Sequence, residues 1–216
     1  MQIALIGSTG GMGTFILEEL ASRGHDIRAV VRRPGAVATA GHLTSVQADV
    51  YDTAALSEAL RGVDAVVSAF NPGWHEPGLY EKYLLGARSI QGATAAAGVE
   101  RLLVIGGASS LYSEDGIQMI ESFTPPEPYG SGVRAARDYH QEILTETGLD
   151  WVFLSPPMDC GPMGPDGRTG VFRTGTEHPV VDKNGKSSLS RQDLAVAVVN
   201  EIERPAHHRQ RFTVGY

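Results

Sequence analysis

One cysteine, Cys160, stands among 216 residues, so no disulfide can form within the chain. That usage fits a reducing compartment. No apolar run approaches the roughly 20 residues that a membrane helix needs. The start of the chain also lacks the basic stretch and apolar core of a secretory leader; its few apolar residues read as a strand. These features point to a cytoplasmic protein. Basic residues are outnumbered, 18 Lys and Arg against 25 Asp and Glu, for a net charge of −7. An acidic surface repels polyanions, so neither nucleic acid nor an anionic membrane is an expected partner. A local basic pocket for one phosphate is still compatible with that charge. Gly-x-Ser-x-Gly is missing, which leaves a hydrolase without its nucleophile elbow. So is the Walker pattern; "NGKS" at 184–187 has only its Lys-Ser end. No Cys/His/Asp cluster has ligand spacing, and the adjacent His207 and His208 are badly placed for one ion, so no metal is expected.

What is present is an alternation. Apolar runs at 2–7, 26–32, 45–50, 64–70, 101–107 and 150–157 read as strands. Between them lie helical patterns at 12–23, 53–62, 79–97 and about 131–147. Continuous apolar strands separated by helices predict an α/β fold, a mostly parallel sheet covered on both faces. The expectation is a single doubly wound Rossmann-type domain over residues 1–216, with the first three strands running 3-2-1 outward and the later strands on the other side. Thr53 is the expected cap of the second helix. Residues 158–190 are rich in glycine and proline and break the alternation. Asn184-Gly185, between "HPVVD" and "KSSLS", predicts a hairpin, and the whole segment is expected to cap the cleft on the substrate side. Ser190, followed by Asp193 three residues on, marks the start of a last helix over 190–203, and "RFTVGY" a last strand.

The chain opens with "IALIGSTGGMG", a strand that ends in glycines and then starts a helix. Such a turn collects free backbone N–H groups at the positive end of a helix dipole. Glycine permits the tight turn and the close approach of a pyrophosphate. Gly7, Ser8, Thr9, Gly10, Gly11, Met12 and Gly13 are therefore the candidate cofactor loop; a glycine-rich turn without a ligand is the plain alternative. An NAD site usually has an acidic residue at the end of the second strand, for the ribose 2′-hydroxyl. Here the strand ends "VVRRP". Arg32 and Arg33 suit a 2′-phosphate, which a carboxylate would repel, so NADPH is expected over NADH. Arg32 is the first choice, and two solvated arginines are the alternative.

With "GSTGGMG", "VVRRP", "ADVYD" (48–52), "VIGGASSL" (104–111), "LDWVFLSPP" (149–157) and the C-terminal "SRQDLAVAVVNEIERPAHHRQRFTVGY", the chain resembles the short-chain dehydrogenase superfamily. More narrowly it resembles the atypical branch of NmrA-like proteins and proposed bacterial NADH-flavin reductases. The resemblance implies that Asp49 and Val50 flank the adenine and that Ser68, Ala69 and Phe70 line the cofactor. It further implies that Ser109 and Ser110 sit near the nicotinamide, and that Pro156, Pro157 and Met158 lie over the nicotinamide side.

Catalysis departs from the family pattern. Ordinary members use Tyr-x-x-x-Lys, whose lysine holds the ribose and prepares the tyrosine as proton donor. The best match is Tyr129, but Val133 stands at the lysine position, and no tyrosine in the chain has a lysine four residues on. A flavin or quinone depends less on a dedicated donor, because its ring atoms take protons from water. The expected activity is an NADPH-dependent reductase acting on such an acceptor, with FMN or riboflavin as possible substrates. Asn71 and Trp74, after the fourth strand, are substrate candidates along with Met158, and His75 is a second proton-donor candidate beside Tyr129, Ser109 and Ser110. Two alternatives stay open: a non-catalytic NAD(P) sensor like the NmrA regulators, and an epimerase- or dehydratase-like enzyme with retained NADP. The oligomeric state, monomer or homodimer, is left open.

Overall fold

The computed structural model describes residues 1–162 and 164–216. β1 (Gln2–Ile6) is short and fully apolar after its first residue. Its pleat sends Ile3 and Leu5 to one face of the sheet and Ala4 and Ile6 to the other. Both faces are therefore apolar and both need a cover. α1 (Gly13–Ser22), β2 (Asp26–Val31) and β3 (Leu43–Gln47) complete the first unit. α2 (Thr53–Leu60), β4 (Ala65–Ser68), α3 (Leu79–Ala96) and β5 (Arg101–Ile105) follow. After a 3₁₀ turn at Ala108–Ser110 come α4 (Met119–Ser122), α5 (Tyr129–Ile143), β6 (Asp150–Ser155), β7 (Arg173–Gly175), α6 (Arg191–Glu203) and β8 (Gln210–Gly215).

The eight strands form one sheet in the order β3-β2-β1-β4-β5-β6-β8-β7. Every pair is parallel except β7 with β8. The expected 3-2-1 half is present, and the order reverses between β1 and β4. α2, α3 and α5 cover one face through Leu56, Leu60, Leu84, Ile90, Tyr139 and Ile143. α1 and α6 cover the other through Ile16, Leu20, Leu194, Val198 and Ile202. Each fully buried side chain of this size contributes about 1.5–3 kcal/mol, so the two layers hold the sheet from both sides.

Four local expectations are revised. The cap of α2 is Asp52, whose carboxylate accepts from Ala55 N–H at 3.0 Å; Thr53 is already helical and bonds Ser89 Oγ at 2.7 Å. The charged acceptor one residue earlier takes the capping role. Asn184-Gly185 is a turn but not a strand hairpin. Asp182 Oδ1 accepts from the N–H groups of Asn184 and Lys186, at 2.8 and 2.9 Å, while the following residues pair with Asp159 instead. The third strand ends at Gln47 and does not reach Val50. α5 starts at Tyr129, two residues before the expected position, and ends at Ile143.

The segment between β6 and α6 is tied down at two carboxylates. Asp193, fully buried in the first turn of α6, accepts from the N–H groups of Thr169 (2.9 Å) and Gly170 (2.8 Å), from Tyr216 Oη (2.8 Å) and from the Thr169 hydroxyl. Its own N–H donates to the cap Ser190 Oγ at 3.0 Å. Glu19 of α1 receives a two-pronged pair from Arg168, both at 2.8 Å, and a further bond from Arg23. Burial works against the charge on Asp193, but the donors outweigh it and hold its pKa below the usual value. Glu19 is likewise lowered, first by the Arg168 bond. A carboxylate lowered in the folded state stabilises above its unfolded pKa, and that contribution is lost as pH falls through the folded value. Asp193→Asn turns an amide toward the same donors. We expect it to cost about 2–3 kcal/mol in urea unfolding at neutral pH, with the gap to the parent narrowing below about pH 4 as Asp193 itself protonates.

Candidate functional site

The turn from β1 into α1 is set by glycine. Gly7 has φ +83°, a left-handed conformation, and a Cβ there would press into the carbonyl of Ala69 just past β4. A Cβ on Gly13 would press into the carbonyl of Gly7. Gly10 N–H donates to Gly7 O at 2.9 Å and closes the turn. Gly11 differs: no atom lies within 4 Å of where its Cβ would stand. No side chain caps α1, and its first turn contains no acidic residue. The first-turn N–H groups that a helix leaves unpaired thus open toward space a ligand can enter.

That space is a cleft of about 520 Å³ along the carboxyl ends of the strands, at the point where the strand order reverses. Thr9, Gly10, Gly11 and Met12 form its floor, together with Gly7. Arg32 and Arg33 stand at one end, beside Val50; both are exposed and neither makes an ion pair among the described residues. Ala69, Phe70, Asn71, Trp74 and Pro156 also line it.

Other candidates lie off the wall. Gly13, Ser8, Ser68 and Pro157 are buried behind it, and the Ser8 hydroxyl has no partner among the described residues. Asp49 is exposed, its carboxylate accepting from Tyr51 N–H at 3.0 Å. Ser109 is buried with its hydroxyl unpartnered among the described residues. Ser110 is fully buried and donates to Gly107 O at 2.9 Å, with Ser155 Oγ at 3.2 Å. The buried Arg211 fixes this turn by donating to Ser110 O at 2.5 Å. His75, Tyr129 and Met158 are exposed. The Tyr129 ring lies 5.4 Å from Trp74 and 6.4 Å from His75, an aromatic group at the rim.

Several lining residues were not among the expected site residues: Tyr51, Tyr83, Gly106, Gly107, Gly132, Cys160 and Arg191. Gly132 had a readable signal, a glycine inside a helix. The space of its missing Cβ is taken by the Trp74 ring, 2.8 Å away at the nearest atom. Val133 places a hydrocarbon side chain in the wall. Burial pushes the Cys160 thiol up to about 12, so it is a neutral lining group. His140, behind the wall against Phe153, is lowered to about 4 by burial and by Arg211. It is uncharged near pH 7 and so is no reservoir of imidazolium protons.

A doubly wound sheet with an uncapped helix N-terminus and an open glycine at its switch point, and unpaired arginines at the end of the neighbouring strand, defines a dinucleotide-binding protein. The residues fit that ligand: Gly11 leaves room for phosphates and the floor supplies donors. The chain belongs to the NAD(P)H-binding family, whose model matches residues 7–205. It is 32% identical to the uncharacterized protein YwnB of Bacillus subtilis over 99% of this chain and 98% of that one. Among solved structures it resembles a proposed epimerase from Bacteroides thetaiotaomicron, with 37% identity, TM-score 0.89 and coverage of 100% and 96%. It also resembles SP1627 from Streptococcus pneumoniae, a proposed NADH-flavin reductase, with 30% identity, TM-score 0.83 and coverage of 100% and 99%. No helix is long and apolar enough to cross a membrane among the described residues.

The glycines separate into two kinds, and variants should show it. Gly13→Ala is expected to lose roughly 3 kcal/mol in thermal or urea unfolding, because backbone must move. Gly11→Val should stay within about 1 kcal/mol of the parent yet weaken NAD(P)H binding more than about tenfold in a fluorescence titration, by filling the phosphate approach.

Proposed function

We propose that this protein is an NADPH-dependent reductase that delivers hydride to a flavin, quinone or similar flat acceptor. The observation that carries this reading is Val133. It lines the cleft where the family's catalytic lysine would stand, so no cation is there to hold the ribose and ready Tyr129 as an acid. An acceptor that collects protons from water tolerates such a wall; a ketone does so poorly. The likeness to the pneumococcal protein supports a flavin among the acceptors.

In this reading the N-terminus of α1 receives the pyrophosphate and the nicotinamide supplies the hydride. Arg32, helped by Arg33, pairs with the 2′-phosphate; Asp49 and Val50 flank the adenine. Ala69 and Phe70 border the middle of the cofactor, with Ser68 buried behind them. The turn carrying Ser109 and Ser110, with Pro156 and Pro157, borders the nicotinamide. Asn71, Trp74 and Met158 frame the acceptor, and His75 and Tyr129 stand at the solvent rim, where water exchanges protons with the product.

Steady-state oxidation of NADPH with FMN, riboflavin and a small quinone tests the reading. Saturable turnover well above the uncatalysed rate is expected. Tight NADPH binding with no turnover of any acceptor would instead mark a dinucleotide sensor, a role that the uncharged wall at Val133 also suits. Arg32→Glu should raise the Kd for NADPH at least about tenfold and leave that for NADH within about threefold, since only the 2′-phosphate meets the reversed charge. Equal effects on both would remove Arg32 from the 2′-phosphate site.

A further inference from the structure

Arg191 opens α6, directly after the cap Ser190. Its guanidinium lies over the ring of Phe15, with Cζ 4.6 Å from the centroid. Phe15 belongs to the first turn of α1. The cation is therefore parked above the same uncapped helix end that forms the cleft floor, and Arg191, Gly11 and Met12 line that cleft together.

Among the described residues no carboxylate forms an ion pair with this charge. Arg191 makes no ion pair or side-chain hydrogen bond among the described residues. The nearby Asp166 is bonded by Gln192 Nε2 at 2.7 Å, and Asp193 is saturated by Thr169, Gly170 and Tyr216. In a chain of net charge −7, a half-buried cation left without a partner in a cleft is available to an anion. The Phe15 ring holds the guanidinium over the helix end, and no described residue takes up its N–H groups, which suit a fork-like pair with two phosphate oxygens. The mount is stiff as well. Asp193 anchors the first turn of α6, and the Arg168–Glu19 pair straps the preceding segment to α1.

We infer that Arg191 clasps the pyrophosphate of the bound dinucleotide from the α6 side, opposite the glycine turn. It acts apart from Arg32 and Arg33, which stand at the end of β2. The inference needs dinucleotide binding only, not the reductase chemistry, so it survives if the protein turns nothing over.

The test is calorimetric binding of three ligands to the whole protein: NADPH, ADP-ribose, which keeps the pyrophosphate without the nicotinamide, and adenosine 2′-monophosphate, which lacks the pyrophosphate. Arg191→Met should raise the Kd for NADPH and ADP-ribose about tenfold or more, the loss of a charge-assisted pair. It should leave adenosine 2′-monophosphate within about twofold. Arg191→Lys, a charge without the planar fork, should fall between. Thermal melting monitored by circular dichroism establishes that each variant is folded, and Arg191→Gln carries the same comparison if the Met variant melts early. An unchanged Kd for ADP-ribose in a folded variant would overturn the clasp. So would a loss shared equally by ADP-ribose and adenosine 2′-monophosphate.

Discussion

Between the carbonyl of Gly7 and the Cα of Gly13 there is no space for a methyl group. That single steric limit decides where α1 begins, how closely it follows β1, and which way its free N–H groups face. The Ala69 carbonyl presses on the same turn from β4, so the limit also fixes the spacing of the two strands at which the sheet reverses order. The cleft exists because a chain leaving β1 must make this turn, and the turn can be made in only one way at such close quarters. The fold thus constrains Gly7 and Gly13, while at Gly11, two positions from Gly13, nothing in the protein stands within 4 Å of a Cβ.

A second layer of control lies far from the glycines in sequence. The segment 158–190 contains little regular structure, yet it is held to both helices of its face by ion pairs and buried hydrogen bonds. Asp193 joins three distant pieces: the loop at Thr169 and Gly170, the cap of α6 and the C-terminal Tyr216. This makes an irregular segment into a fixed wall, with Cys160, Gly161 and Pro162 facing the cleft. Irregular backbone near a site is useful only when it is held so.

Much of the architecture could be read from the chain because its strands are apolar on both faces and its helices are bounded by strong signals. Ser190 with Asp193 announced α6, and glycine spacing announced the tight turn from β1 into α1. The misses have physical causes. Asp52 and Thr53 are both good caps, and only geometry decides between neighbours. β7 has three residues, too few to show a period. The Asn-Gly pair reported its own turn faithfully but said nothing of what flanked it, since Ser187 and Leu189 found Asp159 as a partner. Arg191 was the hardest to see: its interest lies in lacking a partner, and a sequence does not display which charges go unpaired. Val133 had the opposite character. Its departure from a spacing rule was plain in the sequence, and the fold supplied the wall that gives the departure meaning.

The pairing of β7 with β8 has a consequence for company. Left alone, the C-terminal strand would offer a row of unpaired backbone groups over six residues, an invitation to strand addition by another chain. β7 covers the second half of that row, Thr213 to Gly215, and ends the sheet in a three-residue strand, which leaves an incoming strand only a short stretch to zip onto. Self-association on this flank is thereby steered toward side chains of helices and loops, where specificity is easier to encode than along a bare backbone.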